Sequence, residues 1–502
     1  MLKKCIVAGI IFLLIGAGVL PTISGNNLEC KYTNDEFDEN KLPIISDNLK
    51  IDSKAKYDAP TYTENPMFDV YDIQEFGQTA WGATCADFND DGAVDFAIAS
   101  ATCLFTHSTI SIFYNDGNLE FIQDDVYDFN YSYIMDLDSG DYDLDGDIDF
   151  LFTYSESKSA RKTNGTVNIL LNDGENNFEN HTLIAKHVGN KRYNPQLTTS
   201  DFDNDGDLDF LVGDNSGQVE FYLNNGNGNF TSNGIIHDWG ICSWGVTSAD
   251  FDGDNDIDFL VSADPYSGAY LGPIYLKRNQ LIESNYSTIF EPGPGEIIED
   301  DLPEWQEFTA CLNSIDYNND GYMDFIAGIG VCPYLYMNKQ GVYDPFYICR
   351  NTGPSEFNHL REGALSTGDF NNDGYADFVA GGVSGYVRIF INNRCHAVIT
   401  RPVEGYGICY KFDKIIYLPL IISDAIIIGK FTVGVKELEE VEKVEFYVDR
   451  ILQDTVIELP YNFTWVWTPL LLLGFKHTLK IVAYSPDGGH SSVDKVRVWR
   501  FL

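Results

Sequence analysis

Six short acidic segments hold the residues of this chain best suited to chemistry, and that chemistry is the capture of a hard cation. Each reads D-[FY]-[DN]-x-D-[GN]-x-Φ-D-F, where Φ is apolar, and the copies begin at Asp87, Asp141, Asp201, Asp250, Asp316 and Asp369. Carboxylates at alternate positions repel one another, so such a segment calls for a compensating charge. Calcium takes about six to eight oxygen ligands at flexible geometry, and short Asp/Asn-rich loops supply them.

Side-chain oxygens at positions 1, 3, 5 and 9 and the main-chain carbonyl at position 7 make the expected ligand set. The first three copies offer Asp87, Asn89, Asp91, Ala93 and Asp95; Asp141, Asp143, Asp145, Asp147 and Asp149; and Asp201, Asp203, Asp205, Asp207 and Asp209. The last three offer Asp250, Asp252, Asp254, Asp256 and Asp258; Asp316, Asn318, Asp320, Tyr322 and Asp324; and Asp369, Asn371, Asp373, Tyr375 and Asp377. Position 6 is Gly in five copies and Asn255 in the fourth, the residue types that most easily take a left-handed backbone. The varied side chains at position 7 point to its carbonyl as the ligand.

An EF-hand would close such a loop with a bidentate Glu at position 12, between two helices. Position 12 is instead Ile98, Phe152, Val212, Val261, Ala327 and Ala380. Each loop runs into a short apolar stretch, such as Asp209-Phe-Leu-Val-Gly, as expected of a strand buried on both faces. The loops are therefore expected to join β-strands. In the third unit Leu197–Ser200 enters the loop, Phe210–Gly213 leaves it and Val219–Leu223 alternates as a third strand. Asn224-Asn225-Gly226 then signals a two-residue hairpin, with an outer strand from Phe230. Similar third strands and turns recur at Val167–Gly174, Ile110–Gly117 and Val387–Asn393.

Repeated units of short strands indicate a propeller, with six blades favoured and a seventh, loop-less blade as the alternative. The sixth unit lacks an outer strand before Asn393. Met67–Glu75 is expected to fill that gap and remove the exposed edge. The aromatic residues at positions 2 and 10 are expected to pack between blades. Glu291–Glu307, rich in Pro and acids, reads as a surface loop. Cys85 with Cys103, and Cys311 with Cys332, are conceivable bridges within blades.

These segments resemble the FG-GAP/VCBS repeat family, whose D-x-[DN]-x-D-G-x-x-D loops bind calcium in β-propellers that include the integrin α-subunit head. The resemblance covers roughly residues 67–394 and is closer to the microbial VCBS type, as at Asp201–Phe210 and the following Asn224-Asn225-Gly226. Asn255 departs from it, and the Asn-containing fifth and sixth copies are expected to bind ions more weakly. It implies about six Ca²⁺ ions and a role in adhesion or carbohydrate binding. Over residues 395–502 the acidic segments give way to alternating strands at Lys443–Val448, Asn462–Trp467, Thr478–Tyr484 and Lys495–Trp499. With Pro460-Tyr461 and Trp465-Val-Trp467, this part resembles the Ig-like β-sandwich modules of bacterial and archaeal surface proteins.

Charge narrows the functional classes. Lys+Arg 32 against Asp+Glu 76 gives a net charge of −44, which repels nucleic acid. Lys3, Lys4 and the apolar run Ile6–Leu20 make residues 1–24 a secretory signal, or alternatively an uncleaved anchor and the one expected membrane contact. Residues 25–66 read as an acidic tether of low order. Ten cysteines suit an oxidising compartment. No G-x-S-x-G, H-E-x-x-H or phosphate-loop motif occurs. The expected function is a secreted or cell-surface binding protein for a glycan or extracellular protein. An extracellular polysaccharide lyase or hydrolase and a structural envelope component are the alternatives. Trp81 and Trp244, six residues before a loop, and Tyr133 and Arg361, eight before, form the candidate ligand set at one mouth of the ring. Inter-blade packing is the competing role for each.

Overall fold

The computed structural model describes residues 67–501 apart from short connecting stretches, the longest being 157–164, 189–195, 265–272, 282–288, 300–308, 349–362, 418–424 and 466–474. The expected signal and tether therefore lie outside the described residues. Every regular element among the described residues is a β-strand.

Six four-stranded antiparallel sheets follow one another along the chain. The first contains Thr79–Ala86, Asp95–Ala101, His107–Asn115 and Phe121–Asn130. The second contains Ser132–Gly140, Asp149–Glu156, Gly165–Leu170 and Thr182–Val188. Gln196–Ser200, Asp209–Gly213, Gln218–Leu223 and Thr231–Asp238 make the third. The fourth has Cys242–Ala249, Asp258–Asp264, Ile274–Lys277 and Glu296–Glu299. Thr309–Ile315, Asp324–Ile329, Cys332–Lys339 and Val342–Tyr347 build the fifth.

The sixth sheet combines Leu365–Gly368, Asp377–Gly381 and Tyr386–Asn392 with Phe68–Glu75 from the start of the described chain. Phe68 faces Asn392 and Glu75 faces Tyr386. Arg388 Nε, on a buried side chain, donates to Asp72 Oδ1 at 2.5 Å and helps fix this register. The first strands of successive sheets pack against one another, and Leu365–Gly368 packs back against Thr79–Ala86.

Strands that leave the acidic loops are buried on both faces, as in Asp95–Ala101 and Asp209–Gly213. Their leading Phe stacks on an aromatic residue of the third strand in four sheets. The pairs are Phe96–Phe113, Phe210–Tyr222, Phe325–Tyr336 and Phe378–Phe390, with centroids 4.2 to 4.6 Å apart. Aromatic residues at position 2 reach the next sheet, as Phe88 does to Phe150 and Phe370 to Phe96.

Three expectations are corrected. Glu291–Glu307 is not simply a loop, because Glu296–Glu299 is the outer strand of the fourth sheet and Ile298 packs on its core. The proline-rich acidic context hid that short apolar pair. The turn after Leu223 is longer than two residues, since Asn224 is diverted into side-chain bonds and the next strand begins at Thr231. Cys85 and Cys311 are free thiols, so neither conceivable bridge forms.

Beyond the sixth sheet lie a three-stranded sheet and a seven-stranded sheet. The smaller contains Ala397–Arg401, Phe431–Glu437 and Asn462–Trp465. The larger is built around Phe475–Tyr484 and Ser491–Phe501, with Lys443–Val448 and the exposed edge Ile451–Val456 on one side. Both sheets feed one apolar core that includes Ile399, Phe431, Phe446, Ile481 and Val498.

First strands of the six sheets line a narrow polar cavity that includes Asp136, Asp138, Gln196, Thr198, Asn313 and Ser366. Asp136 accepts the N–H of Leu197 at 2.7 Å, and Asp138 accepts that of Thr199 at 3.0 Å, which ties the second sheet to the third. Burial pushes the Asp136 carboxyl up to about 8 and the Asp138 carboxyl to about 6, against the pull of these donors. A carboxyl whose folded-state pKa is raised takes up a proton on folding, so its contribution to stability falls as pH climbs from about 4 to about 8. Asp136→Asn should therefore flatten part of the decline in melting temperature between about pH 5 and pH 8. An unchanged slope in thermal scans across that range contradicts the assignment.

Candidate metal centre

Each acidic segment folds the same way because its own main chain supplies the donors. Position 1 accepts N–H bonds from positions 5 and 6, as Asp201 does from Asp205 at 3.0 Å and Gly206 at 3.0 Å. Position 5 then accepts the N–H of position 7, as in Asp205 with Asp207. Position 6 is left-handed in all six loops, with φ of 70° at Asn255 and 85° or more at the glycines. Position 4 is left-handed as well, an unexpected second bend that places Leu144 at φ 59°.

Position 9 does more than face an ion. Its Oδ2 accepts the position 2 N–H at 3.0 to 3.2 Å in every loop. Its Oδ1 accepts the main-chain N–H of an Asn just beyond or at the end of the third strand at 2.6 to 2.9 Å. That residue is Asn115, Asn172, Asn224, Asn279, Asn338 or Asn392. Burial pushes Asp95, Asp149 and Asp377 up to about 7 and Asp209, Asp258 and Asp324 up to about 8.

Five of these Asn residues join neighbouring sheets. Asn224 Nδ2 donates to the Tyr142 carbonyl, Asn279 to Phe202, Asn338 to Phe251 and Asn392 to Tyr317, at 2.8 to 3.0 Å. Asn115 reaches the Phe370 carbonyl at 2.8 Å and so links the first sheet to the sixth. Only the turn-forming character of these Asn residues was readable beforehand. Their recurrence at or just past the end of each third strand was the available signal.

The loops differ in how position 3 is satisfied. In the second and third loops, Asp143 Oδ1 and Asp203 Oδ1 are buried and have no hydrogen-bond partner. Ligand atoms of Asp141, Asp143 and Asp149 lie within 4.8 Å of one another, as do those of Asp201, Asp203 and Asp209. Asp250, Asp252 and Asp254 form a comparable group in the fourth loop. In the first and fifth loops, Asn89 and Asn318 use their amide to donate to Asp91 and Asp320. Asn371 Oδ1 accepts the Asp373 N–H. The Asn-bearing loops thus carry one carboxylate fewer at position 3, and the first belongs with the fifth and sixth.

Position 7 is not indifferent to its side chain. Asp256 is fully buried and accepts from Asn204 of the preceding loop at 2.9 Å. Asp207 is 7% exposed with an unpartnered Oδ1. Ala93, Asp147, Tyr322 and Tyr375 donate their main-chain N–H to position 5 in the same way as Asp207.

Of the candidate ligand set, Trp81 is 7% exposed and packs against Ala101 and Met135, not at an open mouth. Gly82 follows it at a bulge, where an added Cβ would lie 2.7 Å from the Leu137 nitrogen of the second sheet. Trp244-Gly245 sits at the corresponding bulge of the fourth sheet, so the shared spacing reflects strand geometry. The side chains of Tyr133 and Trp244, and all of Arg361, lie outside the described residues.

The family description "FG-GAP-like repeat" matches residues 201–261, which run from the third loop into the strand after the fourth. No curated protein matches the chain. Among solved structures, an α-L-arabinofuranosidase from Fusarium graminearum with an iminosugar inhibitor is 10% identical over 68% of this chain and 97% of its own, at a TM-score of 0.41. An α-L-arabinanase from Penicillium chrysogenum complexed with arabinobiose is 10% identical over 64% and 99%, also at 0.41. Fibronectin(III)-like modules of Clostridium thermocellum CbhA are 16% identical over 21% and 99%, at 0.15. The chain thus contains an FG-GAP-like repeat within an all-β fold.

Two stability predictions follow from this geometry. Asn224→Ala removes the amide bonds to the Leu208 carbonyl and to the Tyr142 carbonyl, which keeps only the Gly228 N–H, and should cost about 1–3 kcal/mol in chemical denaturation. A cost under about 0.5 kcal/mol would show that the joint is dispensable. Leu144→Asn relieves an exposed branched side chain in a left-handed position and should stabilise by about 0.5–1 kcal/mol. A lower melting temperature for Leu144→Asn contradicts this.

Proposed function

We propose that this is a secreted or cell-surface binding protein whose six sheets form a closed, calcium-stabilised propeller that recognises a glycan or extracellular protein. The C-terminal sheets form an Ig-like sandwich that serves as spacer or second contact. Closure is supported by the pairing of Phe68–Glu75 with Tyr386–Asn392 and by the Asn115 bond to Phe370.

The observation that carries the calcium reading is the pair of buried, unpartnered oxygens Asp143 Oδ1 and Asp203 Oδ1 within close acidic groups. A buried acceptor without a donor costs free energy, and a hard cation satisfies it with the oxygen ligands calcium prefers. The residues fit the ion, with Asp141, Asp143 and Asp149 holding it in the second loop and Asp201, Asp203 and Asp209 in the third. Asp145 and Asp205 complete those loops from position 5. The ion would be structural, cancelling charge so that the loops can sit side by side.

At about 10 mM Ca²⁺ and affinities on the order of 10⁻⁴–10⁻³ M, each occupied site stabilises by roughly 1–3 kcal/mol. Chelation should therefore lower the melting temperature by several degrees, and an identical melting curve with and without chelator would refute the reading. Asp203→Asn should weaken one site in calorimetric titration and leave the others. Unaltered stoichiometry and affinity would reject that ligand. For the partner, a glycan array with calcium present should show saturable retention. Release of shortened products from a polysaccharide panel would instead favour a lyase or hydrolase.

A further inference from the structure

The fourth loop differs from its neighbours in having a cationic side chain already in place. Arg278, one residue past the third strand of that sheet, extends its Nε to Asp252 Oδ2 at 2.9 Å. Its Nη2 donates to Glu296 Oε2 at 2.6 Å, from the outer strand of the same sheet. The guanidinium is thus pinned between a position 3 carboxylate and an acid outside the loop. At the matching place in the second and third loops, Asp143 Oδ1 and Asp203 Oδ1 have no partner. Residues equivalent to Arg278 in the other sheets are Tyr114, Leu171, Leu223, Met337 and Ile391, none of them charged.

We propose that Arg278 is a tethered counter-ion of the fourth loop, which makes this loop the least dependent on calcium among the three with Asp at position 3. The inference rests on the calcium reading above and deepens it. A divalent ion entering the Asp250–Asp252–Asp254 group must displace a guanidinium from Asp252 and leave that guanidinium with Glu296 alone. In the second and third loops, among the described residues, the entering ion meets position 3 oxygens that no protein cation occupies. Charge on Arg278 also lies within a Debye length of the whole loop and opposes a second positive charge there. The loop therefore stays folded without an ion, and it binds one more weakly than its acid count suggests.

The test is calorimetric titration of the full chain with Ca²⁺, together with melting curves in calcium and in chelator, for the parent, Arg278→Gln and Glu296→Gln. Arg278→Gln should tighten one site by about five-fold or bring one additional site into range, consistent with removal of one exposed competing ion pair. It should also enlarge the drop in melting temperature caused by chelation, because the ion-free loop loses its internal charge partner. Glu296→Gln removes the acid that would receive the displaced guanidinium, so it should move both readings the opposite way: a weaker site and no larger drop on chelation. Arg278→Gln with unchanged stoichiometry, affinities and chelator response overturns the counter-ion role while leaving calcium binding intact. A parent chain that takes up no Ca²⁺ at all overturns both together.

Discussion

A buried carboxylate gripped by two main-chain N–H groups is the joint on which the six-sheet part depends. Position 9 of each loop accepts one bond from its own loop and one from the end of the third strand, so it fixes where loop, second strand and third strand meet. In five of the six sheets the Asn that supplies the second bond turns its amide toward the adjacent sheet. One acidic residue and one amide thereby set both the fold of a unit and its attachment to the next. Burial disfavours the charged form of that acid, which is why the surrounding donors, and any cation the loop holds, matter to all six sheets.

That joint also explains why the loops tolerate so much negative charge. Positions 1 and 5 are occupied with main-chain donors, which organise the loop before any ion arrives. Position 3 is left over, and the loops diverge there. Asn neutralises it in three copies, Arg278 reaches it in one, and two leave a buried oxygen exposed to nothing but a prospective ligand. The motif is repeated, yet its six instances are chemically unequal.

Much of this architecture was legible in the residues. The apolar runs after each loop marked strands buried on both faces, and the missing outer strand after Asn393 pointed to Met67–Glu75, where Phe68–Glu75 forms it. Lys443–Val448 appears with the bounds its alternation indicates. What stayed hidden depended on partners remote in sequence. Asn115 looks like a turn residue until Phe370 stands beside it, 255 residues away. Trp81-Gly82 looks like an exposed aromatic near a loop, but a bulge turns it inward and the glycine lets the second sheet approach. Glu296–Glu299 has only two apolar residues amid acids, and its strand identity comes from pairing with Ile274–Lys277.

The way the sixth sheet is completed sets how the molecule responds to tension. The Met67 carbonyl and the Asn393 N–H are hydrogen-bonded to each other, so the chain enters and leaves that sheet at one corner. A pull on the segment before Met67 against the segment after Asn393 separates two antiparallel strands pair by pair, beginning with Phe68 and Asn392. It does not shear their seven pairs simultaneously. Asn393 with Asp69, and then Arg388 with Asp72, are the catches met along that zipper. Mechanical load carried from one end of the chain to the other would unfasten this edge while the remaining five sheets keep all their strands.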